Sequence, residues 1–364
     1  MLLPLALSSG RPDALPGQAP AAEADRILAE LLVTDSLPSI SVAVIRDGRL
    51  VYANAFGRAD LENGAVASVQ SRYTIGSVSK SITAAAVLRL ASDGALRLDD
   101  TVQQHCRTFP EKPHSITIRQ LLAHTSGIRH YDYRRFDADF MNRTRYPSIE
   151  AALAKFAADS LLHLPGSRYH YSSWGYVVLG CVIEGASGQR YAEYLREHLT
   201  APSGMTATGL DEVAPITPQR VRGYYRPESG GTVNAPLFDS SDRYGAGGLL
   251  STPSDMARFG AALLAGQLLP EPSLLLLWRE ASLSDGTTTG HGLGWDLGPN
   301  GTSVYHGGTS VGSTTFLYLD RADRVVVAIA VNLAIWQRDR LALAIRLASL
   351  FGEAATPPSD PPGQ

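Results

Sequence analysis

The stretch Ser77-Val78-Ser79-Lys80 decides how the rest of this sequence is interpreted. Only three of the 32 lysine and arginine residues are lysines, so Lys80 stands where the chain otherwise uses arginine. A lysine amine can lose its proton when its surroundings lower its pKa, whereas arginine stays charged. Because positions i and i+3 share one face of a helix, the Lys80 amine can reach the Ser77 hydroxyl and act as its base. The tetrapeptide therefore predicts a serine nucleophile.

The residues around this tetrapeptide predict where it lies. Residues 73–76 form a short extended segment, and residues 81–96 have the apolar spacing of a helix. Ser77 is therefore placed near a helix N-terminus, where backbone N–H groups favour an anion that forms during a reaction. The alternative interpretation is a serine that only caps the helix, which is the commoner role of serine at such positions.

Composition excludes several classes of protein. A chain of 364 residues with 44% apolar residues forms one large domain or two packed lobes. A net charge of −3 gives no reason to expect nucleic-acid binding, and no apolar run approaches the roughly 20 residues that span a bilayer. Cys106 and Cys181 are predicted to form neither a disulfide framework nor a metal site, and Cys181 is expected to be a small buried apolar residue. The histidines match no metal-ligand spacing, so no metal or other cofactor is expected.

Both ends of the chain predict helix and strand, whereas the middle predicts mainly helices and loops. The predicted terminal helices are residues 21–32 and 338–350, and the predicted strands are residues 39–45, 49–55, 315–319 and 325–331. An antiparallel sheet built from both ends, flanked by the terminal helices and joined to a helical lobe, is the natural arrangement. The expected fold class is α+β.

A single catalytic domain is expected over residues 21–352. Its α/β lobe comprises residues 21–80 and 246–352, and its mainly helical lobe comprises residues 81–245. Residues 1–20 are interpreted as a leader or a disordered linker, and residues 353–364, which include four prolines, as a disordered tail. The short apolar start favours a periplasmic or secreted protein, with a cytoplasmic one as the alternative.

Two further motifs carry side chains suited to the same chemistry. Tyr171-Ser172-Ser173 precedes an apolar helical stretch, and a tyrosine near Lys80 is expected to have a lowered pKa and to act as a base. His306-Gly307-Gly308 follows a strand-like segment; its glycines let a substrate backbone approach closely, and the histidine supplies charge or a hydrogen bond. The alternatives are a packed tyrosine and a glycine-rich turn beside a surface histidine.

Residues 308–312 match the Gly-x-Ser-x-Gly pattern of α/β-hydrolases. Those enzymes need the chain order serine, acidic residue, histidine. No histidine follows His306, so this interpretation is rejected.

Ser-x-x-Lys, Tyr-Ser-Ser and His-Gly-Gly, in this order, resemble the serine β-lactamase and penicillin-binding-protein superfamily. The likeness is to its class C and DD-carboxypeptidase-like branch; it runs over residues 39–350 and includes the blocks 121–127 and 245–252. Residues 109–112 and 126–131 look like those of the mitochondrial serine β-lactamase-like proteins. The resemblance implies the β-lactamase/transpeptidase-like fold.

The resemblance also implies a role for each motif. Ser77 would be the acylated nucleophile, Lys80 and Tyr171 would share the proton transfers, and the backbone N–H groups of Ser77 and Thr309 would form the oxyanion hole. The residues expected to contact substrate are Ser173, His306, Gly307, Gly308, Tyr131, Tyr244 and Ala246. Ser173 would stand where many relatives have Asn, and His306 where true β-lactamases have the Lys of a Lys-Thr-Gly motif; both departures argue against efficient β-lactam turnover.

The expected function is that of a serine hydrolase acting through a Ser77 acyl-enzyme on an amide or ester of a small molecule or peptide. Peptidase and carboxylesterase are the favoured activities. The alternatives are a β-lactamase with weak turnover and a penicillin-binding sensor or binding module that is acylated without turnover. The intact set of Ser77, Lys80, Tyr171 and His306 favours turnover.

Overall fold

The computed structural model describes residues 18–132, 134 and 139–352. The α-helices are α1 (Gln18–Thr34), α2 (Ser79–Ser92), α3 (Val102–His105), α4 (Ile118–Leu122), α5 (Ile149–Leu153), α6 (Ser173–Ser187), α7 (Tyr191–Leu195), α8 (Tyr244–Gly247), α9 (Pro253–Leu264), α10 (Glu271–Trp278) and α11 (Arg340–Gly352). The strands are β1 (Ser39–Arg46), β2 (Arg49–Asp60), β3 (Ala65–Val66), β4 (Tyr73–Thr74), β5 (Gly209–Leu210), β6 (Tyr224–Tyr225), β7 (Val233–Asn234), β8 (Leu249–Ser251), β9 (Asp296–Leu297), β10 (Ser303–Thr309), β11 (Thr314–Asp320) and β12 (Val325–Val331).

The main sheet is antiparallel and joins the two ends of the chain. Its seven strands lie in the order β3-β2-β1-β12-β11-β10-β9, so that the first long strand pairs with the last. Val42 of β1 lies opposite Ile329 of β12 in this pairing. The prediction of an α+β fold with a sheet built from both termini is therefore confirmed.

Strand β12 is apolar along its whole length because both faces of the sheet are covered. Val327 and Ile329 belong to the core under α1 and α11, whereas Val326 and Ala328 belong to the core shared with the helical lobe. Helix α9 covers this second face so closely that a Cβ atom on Gly260 would lie 2.7 Å from Val326. The periodicity of a half-exposed strand is absent from β12 for this reason.

Helix α6 is the central element of the helical lobe. Every residue from Ser173 to Ile183 is buried, as expected of a helix that is apolar on all sides. The helix approaches α3 so closely that a Cβ on Gly185 would clash with the His105 carbonyl oxygen at 1.6 Å.

The same contact corrects the expectation for the two cysteines. Cys106 and Cys181, both buried, form a disulfide that ties the end of α3 to α6. The prediction that they do not pair was wrong, because 75 residues separate them and only the packing of α3 on α6 brings their side chains together.

The predicted boundaries differ from the observed ones by a few residues. Helix α1 begins at Gln18 instead of residue 21, and α2 covers Ser79–Ser92 instead of residues 81–96. The expectations for residues 1–17 and 353–364 lie outside the described residues. Among the described helices, none has the length and apolar character that crossing a bilayer requires.

Candidate active site

Ser77 and Lys80 lie where a 3₁₀ turn, Gly76–Val78, runs directly into α2. Lys80 Nζ lies 3.1 Å from Ser77 Oγ and donates a hydrogen bond to the carbonyl oxygen of Ala246 at 2.7 Å. The Lys80 side chain is completely buried. Burial lowers the pKa of Lys80 well below its usual 10.5, and the nearby charge of Arg243 lowers it further. The amine can therefore be neutral beside the serine hydroxyl.

Tyr171 joins this pair from the loop that leads into α6. Its ring centroid lies 4.9 Å from Lys80 Nζ, and its phenol forms a hydrogen bond with Ser77. Burial raises the pKa of Tyr171 far above 10, and the Ser77 hydrogen bond opposes this only in part. The expectation of a lowered pKa was wrong, because a buried Lys80 that is itself driven toward the neutral form carries no charge to stabilise a phenolate.

Two histidines hold the backbone at the start of α6. His124 Nδ1 accepts a hydrogen bond from the Ser172 N–H, and His130 Nδ1 accepts one from the Ser173 N–H, each at 3.1 Å. The His124 ring also lies 4.4 Å from the Tyr171 ring. Burial lowers the pKa of His124 well below 6.5 and that of His130 to about 3. Both imidazoles are therefore neutral acceptors that position the Tyr-Ser-Ser motif.

The end of β10 is pinned against the turn that carries Ser77. A Cβ on Gly76, whose φ is +52°, would lie 2.7–2.9 Å from backbone atoms of Thr309. A Cβ on Gly308 would lie 2.1 Å from the Ile75 carbonyl oxygen. These close contacts bring the backbone of Thr309 beside that of Ser77. Gly308 is therefore required for packing against Ile75 of its own chain, and it is not among the residues that line the cavity over Ser77.

His306 faces the cleft from β10, with its ring centroid 6.4 Å from that of Tyr171. Its Nδ1 lies 2.7 Å from the Gly307 carbonyl oxygen; since a carbonyl only accepts, Nδ1 carries the proton and Nε2 is the acceptor of the neutral ring. Burial lowers the pKa of His306 to about 4, although the carboxylate of Asp296 acts in the opposite direction. At neutral pH this histidine supplies a hydrogen-bonding group and no charge.

A cavity of about 700 Å³ opens over Ser77 and Tyr171. Of the residues predicted to contact substrate, Tyr131, Ser173, His306 and Gly307 line it, and so does Thr309, which was predicted to form part of the oxyanion hole. Ala246 instead contributes its carbonyl to Lys80, and Tyr244 faces a separate cavity of about 500 Å³. Much of the remaining wall is apolar, including Phe140, Met141 and Val311.

Sequence reasoning missed two residues of this site, Asp296 and His291. Asp296 lines the cavity and accepts a hydrogen bond from His291 Nδ1 at 2.6 Å. No motif signalled them, because Asp296 enters the cavity only through the pairing of the short strand β9 with β10. Among the described residues, no group of His, Cys, Asp and Glu side chains suited to a metal ion is found.

Comparison with known families agrees with this geometry. The family model named Beta-lactamase matches residues 24–350. The chain belongs to the beta-lactamase family. This confirms the resemblance inferred from the three motifs.

Two individual proteins are similar to this chain in sequence. The human mitochondrial serine beta-lactamase-like protein LACTB is 29% identical over 294 residues, which cover 63% of this chain and 54% of the relative. Protein flp of Staphylococcus aureus is 27% identical over 319 residues, which cover 85% of this chain and 62% of the relative. The chain thus spans about half to three fifths of the length of these relatives.

Solved structures in this family superpose over most of the chain. The octameric penicillin-binding protein homologue of Pyrococcus abyssi has a TM-score of 0.76 at 27% identity and covers 91% of this chain and 77% of that one. A D-stereospecific amidohydrolase from Streptomyces has a TM-score of 0.72 at 25% identity and covers 93% of this chain and 98% of that one. The fold is therefore one on which hydrolases and penicillin-binding proteins are both built.

Proposed function

We propose that this protein is a serine hydrolase that forms an acyl-enzyme at Ser77 and acts on amides or esters, as a peptidase or a carboxylesterase. The observation that carries the proposal is the buried Lys80 amine, 3.1 Å from Ser77 Oγ. An amine held neutral beside a serine hydroxyl is a base ready to accept its proton. The similarity to a D-stereospecific amidohydrolase supports hydrolysis of an acyl bond of this type.

In the acylation step, Ser77 Oγ attacks the substrate carbonyl carbon while its proton moves to Lys80 Nζ. The backbone N–H groups of Ser77 and Thr309 stabilise the oxyanion that forms. Tyr171 keeps its proton at neutral pH because burial raises its pKa, so it can protonate the leaving alcohol or amine and recover a proton from the Lys80 ammonium. The Ser77 proton is thereby carried away on the leaving alcohol or amine, and Lys80 and Tyr171 return to their starting protonation states.

In the deacylation step, water attacks the acyl carbon and Ser77 is restored. The water proton passes to Lys80, directly or through the Tyr171 hydroxyl, and then to Ser77 Oγ as the carboxylic acid leaves. The phenol and the amine are both close to Ser77, so one pair of groups serves both half-reactions. Tyr171 is thus expected to act as a proton relay, with Lys80 as the base.

The cavity favours small apolar esters and peptides over β-lactams. Phe140, Met141 and Val311 offer apolar contact to an acyl group. His306 stands in the position of a lysine in β-lactamases, and it is neutral at neutral pH because burial lowers its pKa to about 4. A β-lactam carboxylate therefore gains no charge pair with this residue.

The experiment that tests the proposal is intact-protein mass spectrometry over time with p-nitrophenyl acetate and, separately, benzylpenicillin. The parent protein should show a transient acetyl adduct while nitrophenol accumulates. Ser77→Ala should lack the adduct and lose at least about 10³-fold in rate. Tyr171→Phe should show a longer-lived adduct. Ser310→Ala, which removes the serine of the rejected Gly-x-Ser-x-Gly pattern, should still form the adduct.

Other outcomes of this experiment identify the alternatives. Activity retained in Ser77→Ala would show that another group is the nucleophile. A permanent adduct without product would identify a sensor or binding module, and rapid penicillin turnover would identify a β-lactamase. An unchanged adduct lifetime in Tyr171→Phe would limit Tyr171 to a packing role.

We also propose that the protein acts in an oxidising compartment, such as the periplasm or the exterior of the cell. The support is the buried Cys106–Cys181 disulfide, since structural disulfides persist mainly in such compartments. Alkylation of thiols in the native host, followed by mass spectrometry, should find the pair oxidised. A fully alkylated pair would support the cytoplasmic alternative.

A further inference from the structure

Asp296 is a carboxylate in the wall of the catalytic cavity that the proposed reaction does not use. It begins β9 and lies opposite Tyr305 of β10. Its side chain is 31% exposed and is held through Oδ1 by His291 Nδ1 at 2.6 Å. The His291 ring is stacked on Tyr169 at 4.3 Å and 6°. These contacts fix the carboxylate at the cavity surface.

Asp296 remains ionised although it is partly buried. Burial alone would raise its pKa, but the His291 hydrogen bond and the electrostatic attraction of the His306 and His291 rings bring the pKa below its usual 3.8. Burial lowers the pKa of His130 to about 3 and that of His306 to about 4, so both rings are neutral at neutral pH, and it drives Lys80 toward its neutral form. Asp296 is therefore a negative charge in the wall of the cavity that Ser77 also lines.

The positive charge in the described part of the cavity wall lies elsewhere. Arg340 stands over the Phe316 ring at 5.9 Å and close to Gly307, and its guanidinium forms no ion pair with Asp296. Neither charge contributes to the pKa shift of the other. The carboxylate is thus not neutralised by the protein cation that shares the cavity.

We infer that Asp296 binds an ammonium group of the substrate, so that amine-bearing amides or esters are hydrolysed in preference to their uncharged analogues. The inference rests on the proposed function, because it names the substrates of the same site. A cation bound to a carboxylate that faces an apolar, partly desolvated cavity is held more strongly than one in bulk water. His291 is a positioning residue in this scheme, since it orients the carboxylate without contacting substrate.

The test compares substrates that differ only in a positive charge, on either side of the scissile bond. Alanine methyl ester, as both enantiomers, is matched with methyl propionate, and acetylcholine with 3,3-dimethylbutyl acetate, at about pH 7, where the amines are charged. For at least one pair, the parent should prefer the charged member by about tenfold or more in kcat/KM. Asp296→Asn, which can still accept from His291, should reduce that preference by about 10- to 100-fold and leave the uncharged member within about threefold.

Two control variants separate binding from structural effects. His291→Gln can still donate to Asp296, and Arg340→Gln removes the other charge; both should keep the preference for the charged member. Equal losses on both members of a pair in Asp296→Asn would reveal a structural role and overturn the inference. A parent without preference for either charged substrate would overturn it as well.

A failure of the proposed function would look different. In that case the parent would hydrolyse neither methyl propionate nor 3,3-dimethylbutyl acetate. The inference would then be decided by binding: alaninamide and choline should raise the melting temperature of the parent more than propionamide and 3,3-dimethylbutanol do, and Asp296→Asn should abolish the difference. Equal shifts would contradict the inference.

Discussion

Two lysines of this chain, the buried Lys80 and the partly buried Lys155, lie in opposite electrostatic surroundings. Lys155, in the helical lobe, bonds Asp242 Oδ2 through its Nζ at 2.6 Å, and Arg243 bonds the other oxygen of the same carboxylate at 2.7 Å. Lys80, in the cleft, bonds the Ser77 hydroxyl and the Ala246 carbonyl. A carboxylate partner keeps a buried amine charged, whereas neutral partners and full burial favour its neutral form. The chemistry of a buried lysine is therefore set by its partner.

Arg243 connects these two regions. It pairs with Asp242 in the lobe, and its charge also lowers the pKa of Lys80 in the cleft. The ion cluster of the lobe thus contributes to the electrostatic environment of the proposed base. Variants of Lys80, of Lys155 and of nearby residues test whether the two lysines differ in function as their different partners predict.

The largest expected effect is on activity. Lys80→Arg places a permanent charge beside Ser77, so kcat/KM for p-nitrophenyl acetate should fall by about 10²- to 10⁴-fold. The matched variant Lys155→Arg keeps a cation against Asp242 and should stay within about threefold of the parent. Circular dichroism and thermal melting establish that both variants are folded, and Lys80→Met serves if the larger arginine does not fit. Equal losses of kcat/KM in Lys80→Arg and Lys155→Arg would contradict this prediction.

The next largest effect is on the stability of the helical lobe, and the activity of the catalytic cleft should change little. Replacing Cys106 and Cys181 by alanine should lower the free energy of unfolding by about 4 kcal/mol, because the disulfide closes a long loop in the unfolded chain. The specific activity of the folded protein should change little, since neither cysteine lines the catalytic cavity. Urea unfolding, with the reduced parent as a second sample, measures the difference. A loss of activity without a loss of stability would contradict this prediction.

The same two lysines should also differ in their effect on stability. Lys155→Met leaves Asp242 with Arg243 alone and should cost about 1–3 kcal/mol. Lys80→Met should raise stability at neutral pH. The pKa of Lys80 is lowered in the folded state by burial, so below about pH 10 the unfolded chain binds a proton that the folded chain excludes. Denaturant titrations at about pH 7 and 9 decide this; destabilisation by Lys80→Met would show that Lys80 is held as a charged group.

The smallest effect is a shift in the pH dependence of the reaction. The rate of acylation should rise with pH as Lys80 loses its proton, and level off above its pKa. Arg243→Met removes a positive charge that lowers this pKa, so the acidic limb of the kcat/KM profile should move to higher pH. Lys155→Arg serves as the control with no shift. An acidic limb that does not move in Arg243→Met would remove Arg243 from the tuning of Lys80.

Local patterns predicted much of this fold. Strand β12 has the predicted bounds, Val325–Val331, and β1 covers Ser39–Arg46 where a strand over residues 39–45 was predicted. Both depend on residues that are close in sequence. The disulfide, by contrast, joins residues 75 positions apart, and Asp296 reaches the cavity through strand pairing. Neither the disulfide nor the position of Asp296 produces a periodic pattern in the sequence, so sequence reasoning missed both.

For the site, the sequence by itself determined which groups stand one helical turn apart. Ser77 and Lys80 are three positions apart, and the geometry of a helical turn brings their side chains within 3.1 Å. Only the tertiary structure decided their protonation. Elements distant in sequence bury Lys80, Tyr171 and His306. This burial lowers the pKa of Lys80 and of His306 and raises the pKa of Tyr171. Desolvation depends on what covers a group, which its neighbours in sequence do not specify.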